Sequence, residues 1–180
     1  MRLFLAVAML AMTAPAVAQL SISTFGATDA QGCFEDAQSQ TTISVDRCDA
    51  ALRGPPLTKR DRLATLVNRG IIHNRAGRLD AALADFNAAL EGDGALGEAF
   101  LNRGNSQFLL RKFDLAIADY EKSLETGLSK PWIAWYNIGL AREAQKDARG
   151  ARTAYERALE INPDFGLAKR KLGLEGDGAR

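Results

Sequence analysis

Residues 66–90 read LVNRG-IIHNRAGRLD-AALADFNAAL, and the same pattern returns twice further along the chain. Residues 100–124 read FLNRG-NSQFLLRKFD-LAIADYEKSL, and residues 135–159 read WYNIG-LAREAQKDAR-GARTAYERAL. A glycine, an alanine and an aromatic residue each recur at intervals of 34 and 35 residues. These sets are Gly70, Gly104 and Gly139; Ala82, Ala116 and Ala151; and Phe86, Tyr120 and Tyr155. Self-similarity at such a period indicates a stack of equivalent supersecondary units.

Counted from Leu63, Gly97 and Trp132, the three copies resemble the tetratricopeptide repeat, with Gly eighth, Ala twentieth and an aromatic residue twenty-fourth. The resemblance implies an all-α fold, a right-handed α-α superhelix of antiparallel helical hairpins. Small residues let the two helices of a hairpin approach closely, and the aromatic ring fills the space beside them. The repeats are expected at 63–96, 97–130 and 132–165.

The flanks of the array carry weaker signals. Residues 31–58 keep the repeat register in a degenerate form, so we expect an N-terminal capping hairpin there. Residues 166–174 are predicted to form a C-terminal capping helix, because an open apolar end would aggregate. Residues 19–30 and 175–180 show no periodicity and are predicted to be disordered.

Residues 1–18 have the parts of a secretory signal peptide: Arg2, an apolar run and a small-residue ending at Ala18. An uncleaved membrane anchor needs about 20 apolar residues, and Thr13 and Pro15 interrupt the run before that length. We therefore expect cleavage after Ala18, a periplasmic location and no membrane insertion of the mature chain.

Export bears on the two cysteines, Cys33 and Cys48. In an oxidising compartment an even number of cysteines favours a disulfide, whereas both residues could also be small buried apolar groups. The resemblance places Cys33 at position nine and Cys48 at position twenty-four of the degenerate hairpin, which face each other across it. It therefore implies a Cys33–Cys48 disulfide.

Composition excludes several classes of function. Lys and Arg number 23 against 22 Asp and Glu, so no strong field attracts nucleic acid. One His and two Cys leave too few ligands for zinc, haem or an iron–sulfur cluster. His73 stands where the family usually has a Tyr between helices, so we expect it to be half-buried and structural. No cofactor, no metal and no catalytic residue is predicted.

Arginine and aspartate vary together at two positions of the repeat. The first two repeats have Arg69 with Asp85 and Arg103 with Asp119, and the third has Ile138 with Ala154. Paired loss indicates a paired contact, so we predict interhelical ion pairs with a structural role.

Asn68, Asn102 and Asn137 recur at position six of the first helix, on the face that lines the concave surface of such arrays. A ladder of amides could donate to and accept from the backbone of an extended peptide. Alternatively, each amide could bind a neighbouring hairpin. Six further residues are predicted to share the groove: Asn105, Arg75, Glu98, Ile71, Leu109 and Leu140.

Some family members bind a C-terminal carboxylate with Lys and Arg side chains from successive first helices, but Val67 and Ile71 stand where the first Lys and Asn would be. The sequence thus predicts a non-catalytic adaptor that binds a protein or extended peptide and is a monomer or weak homo-oligomer. The alternatives are a self-associating envelope scaffold that uses its ends or convex face and, more remotely, a hydrolase of envelope polymers.

Overall fold

The computed structural model describes residues 17–23 and 28–174. Within those ranges the chain forms helices and no strand, which confirms the all-α prediction. The helices are α1 (Thr28–Gln38), α2 (Asp46–Arg53), α3 (Lys59–Arg75), α4 (Leu79–Gly92), α5 (Gly97–Leu109), α6 (Phe113–Glu125), α7 (Pro131–Ala144), α8 (Ala148–Ile161) and α9 (Gly166–Leu172). Among these helices, none combines the length and hydropathy required to cross a bilayer.

Short-range chemistry sets several helix ends. The Thr58 hydroxyl accepts from the Asp61 amide at 3.1 Å and caps α3. Pro131 begins α7, where its missing N–H costs nothing. The turn inside each repeat needs a left-handed residue, and the same position supplies Gly77 (φ 72°), Arg111 (φ 61°) and Lys146 (φ 65°). The backbone of the turn is therefore retained even where glycine is not.

Close helix contact at the repeat glycines holds each hairpin together. A Cβ on Gly70 would lie 2.5 Å from the Phe86 ring, and one on Gly104 would lie 2.7 Å from the Tyr120 ring. Gly139 meets Tyr155 in the same way. The antiparallel pairs α3–α4, α5–α6 and α7–α8 are thus packed by one device, as the repeat pattern predicts.

The N-terminal hairpin of α1 and α2 is closed by a disulfide and is fastened to the array by Arg75 of α3. Cys33 and Cys48 form a disulfide with an S–S distance of 2.10 Å, and both residues are fully buried. From α3, the Arg75 guanidinium donates to the carbonyl oxygens of Asp36, Ala37 and Thr42 at 2.6 to 3.1 Å. The expected pairing of the cysteines is thus present in the structure.

Two boundaries differ from the sequence-based expectation. Residues 19–30 were predicted to be disordered, yet 19–23 pack against the repeats and α1 begins at Thr28. The reason is that backbone groups of this segment have partners in the array. Helix α3 also begins four residues before position 63, because Thr58 provides an earlier cap. Residues 1–16 of the predicted leader and residues 175–180 lie outside the described residues.

Candidate functional site

The concave surface of the helices is occupied by residues 17–23 of the same chain, which we call the strap. The strap is extended, and its backbone bonds to asparagine side chains of α3, α5 and α7. Buried backbone N–H and C=O groups require such partners. The ladder asparagines are all fully buried: Asn68, Asn102, Asn105 and Asn137.

The outer rungs of the ladder each bind one strap residue through both backbone groups. Asn68 Nδ2 donates to the Ile22 carbonyl at 2.7 Å, and its Oδ1 accepts from the Ile22 N–H at 2.9 Å. Asn137 Nδ2 donates to the Ala18 carbonyl at 3.0 Å, and its Oδ1 accepts from the Ala18 N–H at 3.1 Å. A carboxamide is suited to this because it carries a donor and an acceptor side by side.

The middle rung uses two asparagines one helical turn apart. Asn102 donates to the Leu20 carbonyl at 2.7 Å, and Asn105 donates to the Ala18 carbonyl at 3.0 Å. Asn105 Oδ1 in turn accepts from Asn137 Nδ2 at 2.9 Å and from the Tyr120 hydroxyl at 3.0 Å. Burial raises the pKa of Tyr120 well above 10, so the phenol keeps its proton as the donor. The amides therefore bind both the strap and neighbouring hairpins.

Two further buried polar residues, Asn74 and Ser106, support the ladder from the side of the helices away from the strap. Asn74 Nδ2 donates to the Asn102 carbonyl at 3.3 Å, and the Ser106 hydroxyl lies 2.8 Å from Asn74 Oδ1. Sequence reasoning missed Asn74 and Ser106, because neither type recurs in all three repeats. It also missed the strap, whose signal was the alternation of apolar and polar residues from Ala18 to Ser23.

The strap side chains connect the two apolar clusters of the molecule. Leu20 is buried within the cluster built mainly by α5 to α9, and Ile22 packs against the cluster built by the first hairpins. Beside the strap lies an open cavity of about 870 Å³. Its lining includes Gln19, Ser21, Phe34, Ile71 and Lys130.

The other predicted groove residues divide into three groups. Ile71 and Arg75 line the cavity, although Arg75 is engaged in holding α1 and the segment after it. The Glu98 carboxylate accepts from the Ser129 hydroxyl at 3.0 Å, and its backbone carbonyl accepts from Asn102. Leu140 is buried in the core and Leu109 is half-buried, and neither lines this cavity.

The predicted structural residues lie where the pattern indicated. Arg69 binds Asp85 through two hydrogen bonds of 2.6 and 2.9 Å, and Arg103 binds Asp119 through two of 2.7 and 2.8 Å. Both arginines join the two helices of one hairpin. In the third repeat the apolar replacements are buried instead: Ile138 and Ala154.

His73 is half-buried and belongs to this structural set. Its Nδ1 accepts from Arg78 Nε at 2.8 Å, and its Nε2 lies 3.8 Å from Asp85 Oδ2. Burial lowers the pKa of His73 below 6.5, against the opposing attraction of Asp85. Among the residues that the structure describes, no group of three His, Cys, Asp or Glu side chains could hold a metal ion.

The fold and groove define a tetratricopeptide solenoid. The family model described as a tetratricopeptide repeat matches residues 101–164, which cover α5 to α8 almost completely. This confirms the repeat for that part of the chain. RNA polymerase II-associated protein 3 is 30% identical over 108 residues in Mus musculus and 29% identical over 105 residues in Xenopus laevis. These matches cover 59% and 58% of this chain but only 16% of each relative.

Solved structures share the fold. The first TPR domain of human RPAP3 is 25% identical with a TM-score of 0.58, covering 62% of this chain and 87% of that domain. The first TPR of Spaghetti (RPAP3), bound to the HSP90 peptide SRMEEVD, is 24% identical with a TM-score of 0.58, covering 67% and 94%. MamA is 20% identical with a TM-score of 0.60, covering 84% and 88%.

Proposed function

We propose that this protein is an exported, non-catalytic adaptor that binds an extended segment of a partner protein in its concave groove. The observation that carries this proposal is the bidentate hold of Asn68 and Asn137 on the backbone of the strap. Contacts to backbone groups accept many sequences, because every residue except proline offers the same N–H and C=O pair.

The solved neighbour that holds an HSP90 peptide supports a peptide-binding role for this fold. The chemistry of the ligand should differ in this protein, because the described groove offers amides and apolar side chains around the strap. Val67 and Ile71 are buried and apolar, and the Arg75 guanidinium is bonded to three carbonyl oxygens. We therefore favour recognition of backbone over recognition of a terminal carboxylate.

The test is capture of envelope proteins by the exported chain and by a ladder variant. Replacing Asn68, Asn102 and Asn137 by Ala should abolish capture while helix content stays unchanged. The matched control replaces the exposed Asn87 and the half-buried Asn162 by Ala, which removes amides away from the groove. Capture by the ladder variant at the level of the control would overturn the proposal.

Periplasmic location is the second part of the proposal, and it rests on the leader-like residues 1–18. It is tested by fractionation and by the mass of the recovered chain. A periplasmic protein that begins at Gln19 is the expected result, and this chain keeps Leu20 and Ile22 of the strap but lacks Ala18. A cytoplasmic chain that retains Met1 would contradict it.

A self-associating scaffold remains a second candidate, supported by exposed apolar side chains. Leu115, Ile161 and Leu174 are 54%, 44% and 61% exposed, and the last two lie on the C-terminal hairpin and after the cap. Light scattering over a concentration range separates the two. The molar mass of a groove-binding adaptor on its own stays that of a monomer, whereas the molar mass of a self-associating scaffold increases with concentration.

A further inference from the structure

The bonds to the strap define the register that the groove accepts. They fall on Ala18, Leu20 and Ile22, which are alternate residues of an extended chain. Two residues of a strand advance about 6.6 Å, so one rung of the ladder takes every second residue. The strap runs from α7 at Ala18 to α3 at Ile22, opposite to the order of the repeats.

The same three residues pack their side chains in or against the two apolar clusters. Ala18 is small and packs against the core cluster of the third repeat, and Leu20 is buried within that cluster. Ile22 borders a second cavity of about 410 Å³, which is lined by the apolar Leu63, Ala64 and Leu96 and by the charged Lys59, Arg60 and Asp93. The strap therefore leaves apolar space at its third position that a larger side chain would fill.

The strap and a partner cannot use the ladder together. Asn68 spends both its donor and its acceptor on Ile22, and Asn102 donates to Leu20. In the exported chain that begins at Gln19, Ala18 is absent, so Asn105 and Asn137 are open to a partner. A partner backbone in this register has to take the bonds of Asn68 and Asn102 from the strap. Holding the strap also costs the conformational freedom of its residues, which opposes its hydrogen bonds and its buried leucine.

We propose that the partner is an extended protein segment with a small, a leucine-sized and a large apolar side chain at alternate positions, and that it binds by displacing the strap. This inference rests on the proposed function, since it concerns the same groove. A second copy of this chain is a poorer occupant, because its own Ile22 would leave the same space unfilled. A partner with Phe at that position gains contact with the apolar lining.

The experiment uses the exported chain that begins at Gln19 and a fluorescent synthetic peptide of residues 17–23 that carries Ile22→Phe. A chain with Leu20→Asp and Ile22→Asp should bind this peptide at least tenfold more tightly than the wild type, since its strap no longer fits. The control chain carries Gln19→Asp and Ser21→Asp, which add the same charge at the intervening positions. It should bind like the wild type. Equal affinity of the two charge variants would overturn the displacement.

Two further measurements keep the outcomes distinct. The peptide with Ile22→Phe should bind the released chain at least threefold more tightly than the native peptide, and equal binding would overturn the selectivity. When the peptide with Ile22→Phe is added to the wild type, it should raise the amide exchange rates of Leu20 and Ile22. This measurement does not depend on whether the charge variant folds. Unchanged exchange would contradict displacement. A dimer of the released chain in light scattering would point to a second copy and overturn the partner. If the two charge variants bind the peptide with equal affinity but the ladder variant loses capture, the displacement is wrong and the proposed function still stands.

Discussion

Asn68 binds Ile22 through both backbone groups, its Nδ2 donating to the carbonyl at 2.7 Å and its Oδ1 accepting from the N–H at 2.9 Å. Asn68→Asp keeps the shape but replaces the donor with a second acceptor, which repels the carbonyl. We expect a loss of about 1–3 kcal/mol in strap binding and faster exchange of the Ile22 amide. Asn87→Asp is the control, because residue 87 is exposed and still accepts from Arg103. Unchanged protection of Ile22 would show that the pair is not stabilising.

Gly104 shows how tightly a hairpin is packed. Its Cβ would lie 2.7 Å from the fully buried Tyr120 ring and 3.1 Å from the Ala116 carbonyl. Gly104→Ala should lower the free energy of unfolding by about 1–3 kcal/mol through overpacking. The control, Gly94→Ala, meets only one atom at 3.9 Å and should be neutral or slightly stabilising. Urea unfolding followed by circular dichroism measures both, and equal midpoints would contradict the packing argument.

The Arg103–Asp119 pair can be compared with its apolar counterpart in the third repeat. Asp119→Ala leaves a guanidinium that is only 24% exposed without its carboxylate, at a cost of about 1.5–3 kcal/mol. Adding Arg103→Ile reproduces the Ile138 and Ala154 arrangement and should recover part of that loss. A double-mutant cycle measures the coupling, and additive effects would mean that the pair is energetically inert.

The disulfide should matter most to the hairpin that it closes. Cys33→Ser with Cys48→Ser opens a loop of 15 residues, for which chain entropy predicts a loss of about 3 kcal/mol. Because repeats unfold partly independently, amide exchange should increase chiefly in α1 and α2. A reductant should have the same effect on the wild type and none on the variant. Uniform exchange across all helices would count against a local role.

His73 predicts the direction of one pH effect. Burial lowers its folded pKa below the unfolded value of 6.5, although Asp85 opposes the shift and Arg78 and Arg69 reinforce it. The unfolded chain therefore binds more protons, so this contribution to stability is full above pH 6.5 and is lost as the pH falls through the folded pKa. With a single histidine, NMR titration is unambiguous. His73→Gln should remove the dependence in this window, and a folded pKa above 6.5 would reverse the sign.

The repeat register was predictable because it depends on side-chain size at fixed positions. Gly70 and Phe86 recur at fixed positions, since a larger residue at the first would collide with the ring of the second. Arg69 and Asp85 were predictable as a pair because the third repeat loses both members together. The disulfide followed from the same register once the degenerate hairpin was aligned with it.

The strap was harder to predict for a physical reason. Its bonds to Asn102 and Asn137 are made by backbone groups, which leave no trace in the sequence. The remaining signal was a short alternation that placed Leu20 and Ile22 on one side. Six residues of alternation without a turn do not reveal whether a segment is disordered or bound, because its partner residues lie far away in the chain.

The position of Ala18 has a consequence for the order of events in biogenesis. Its carbonyl accepts from Asn105 and Asn137, so in the uncleaved chain the half-buried bond to Gln19 is held in the groove, where a peptidase has less access to it. Proteolysis of a sheltered bond requires local opening. The cleavage proposed after Ala18 therefore has to precede binding of this segment, and a precursor that folded first would retain Ala18 on Asn105 and Asn137.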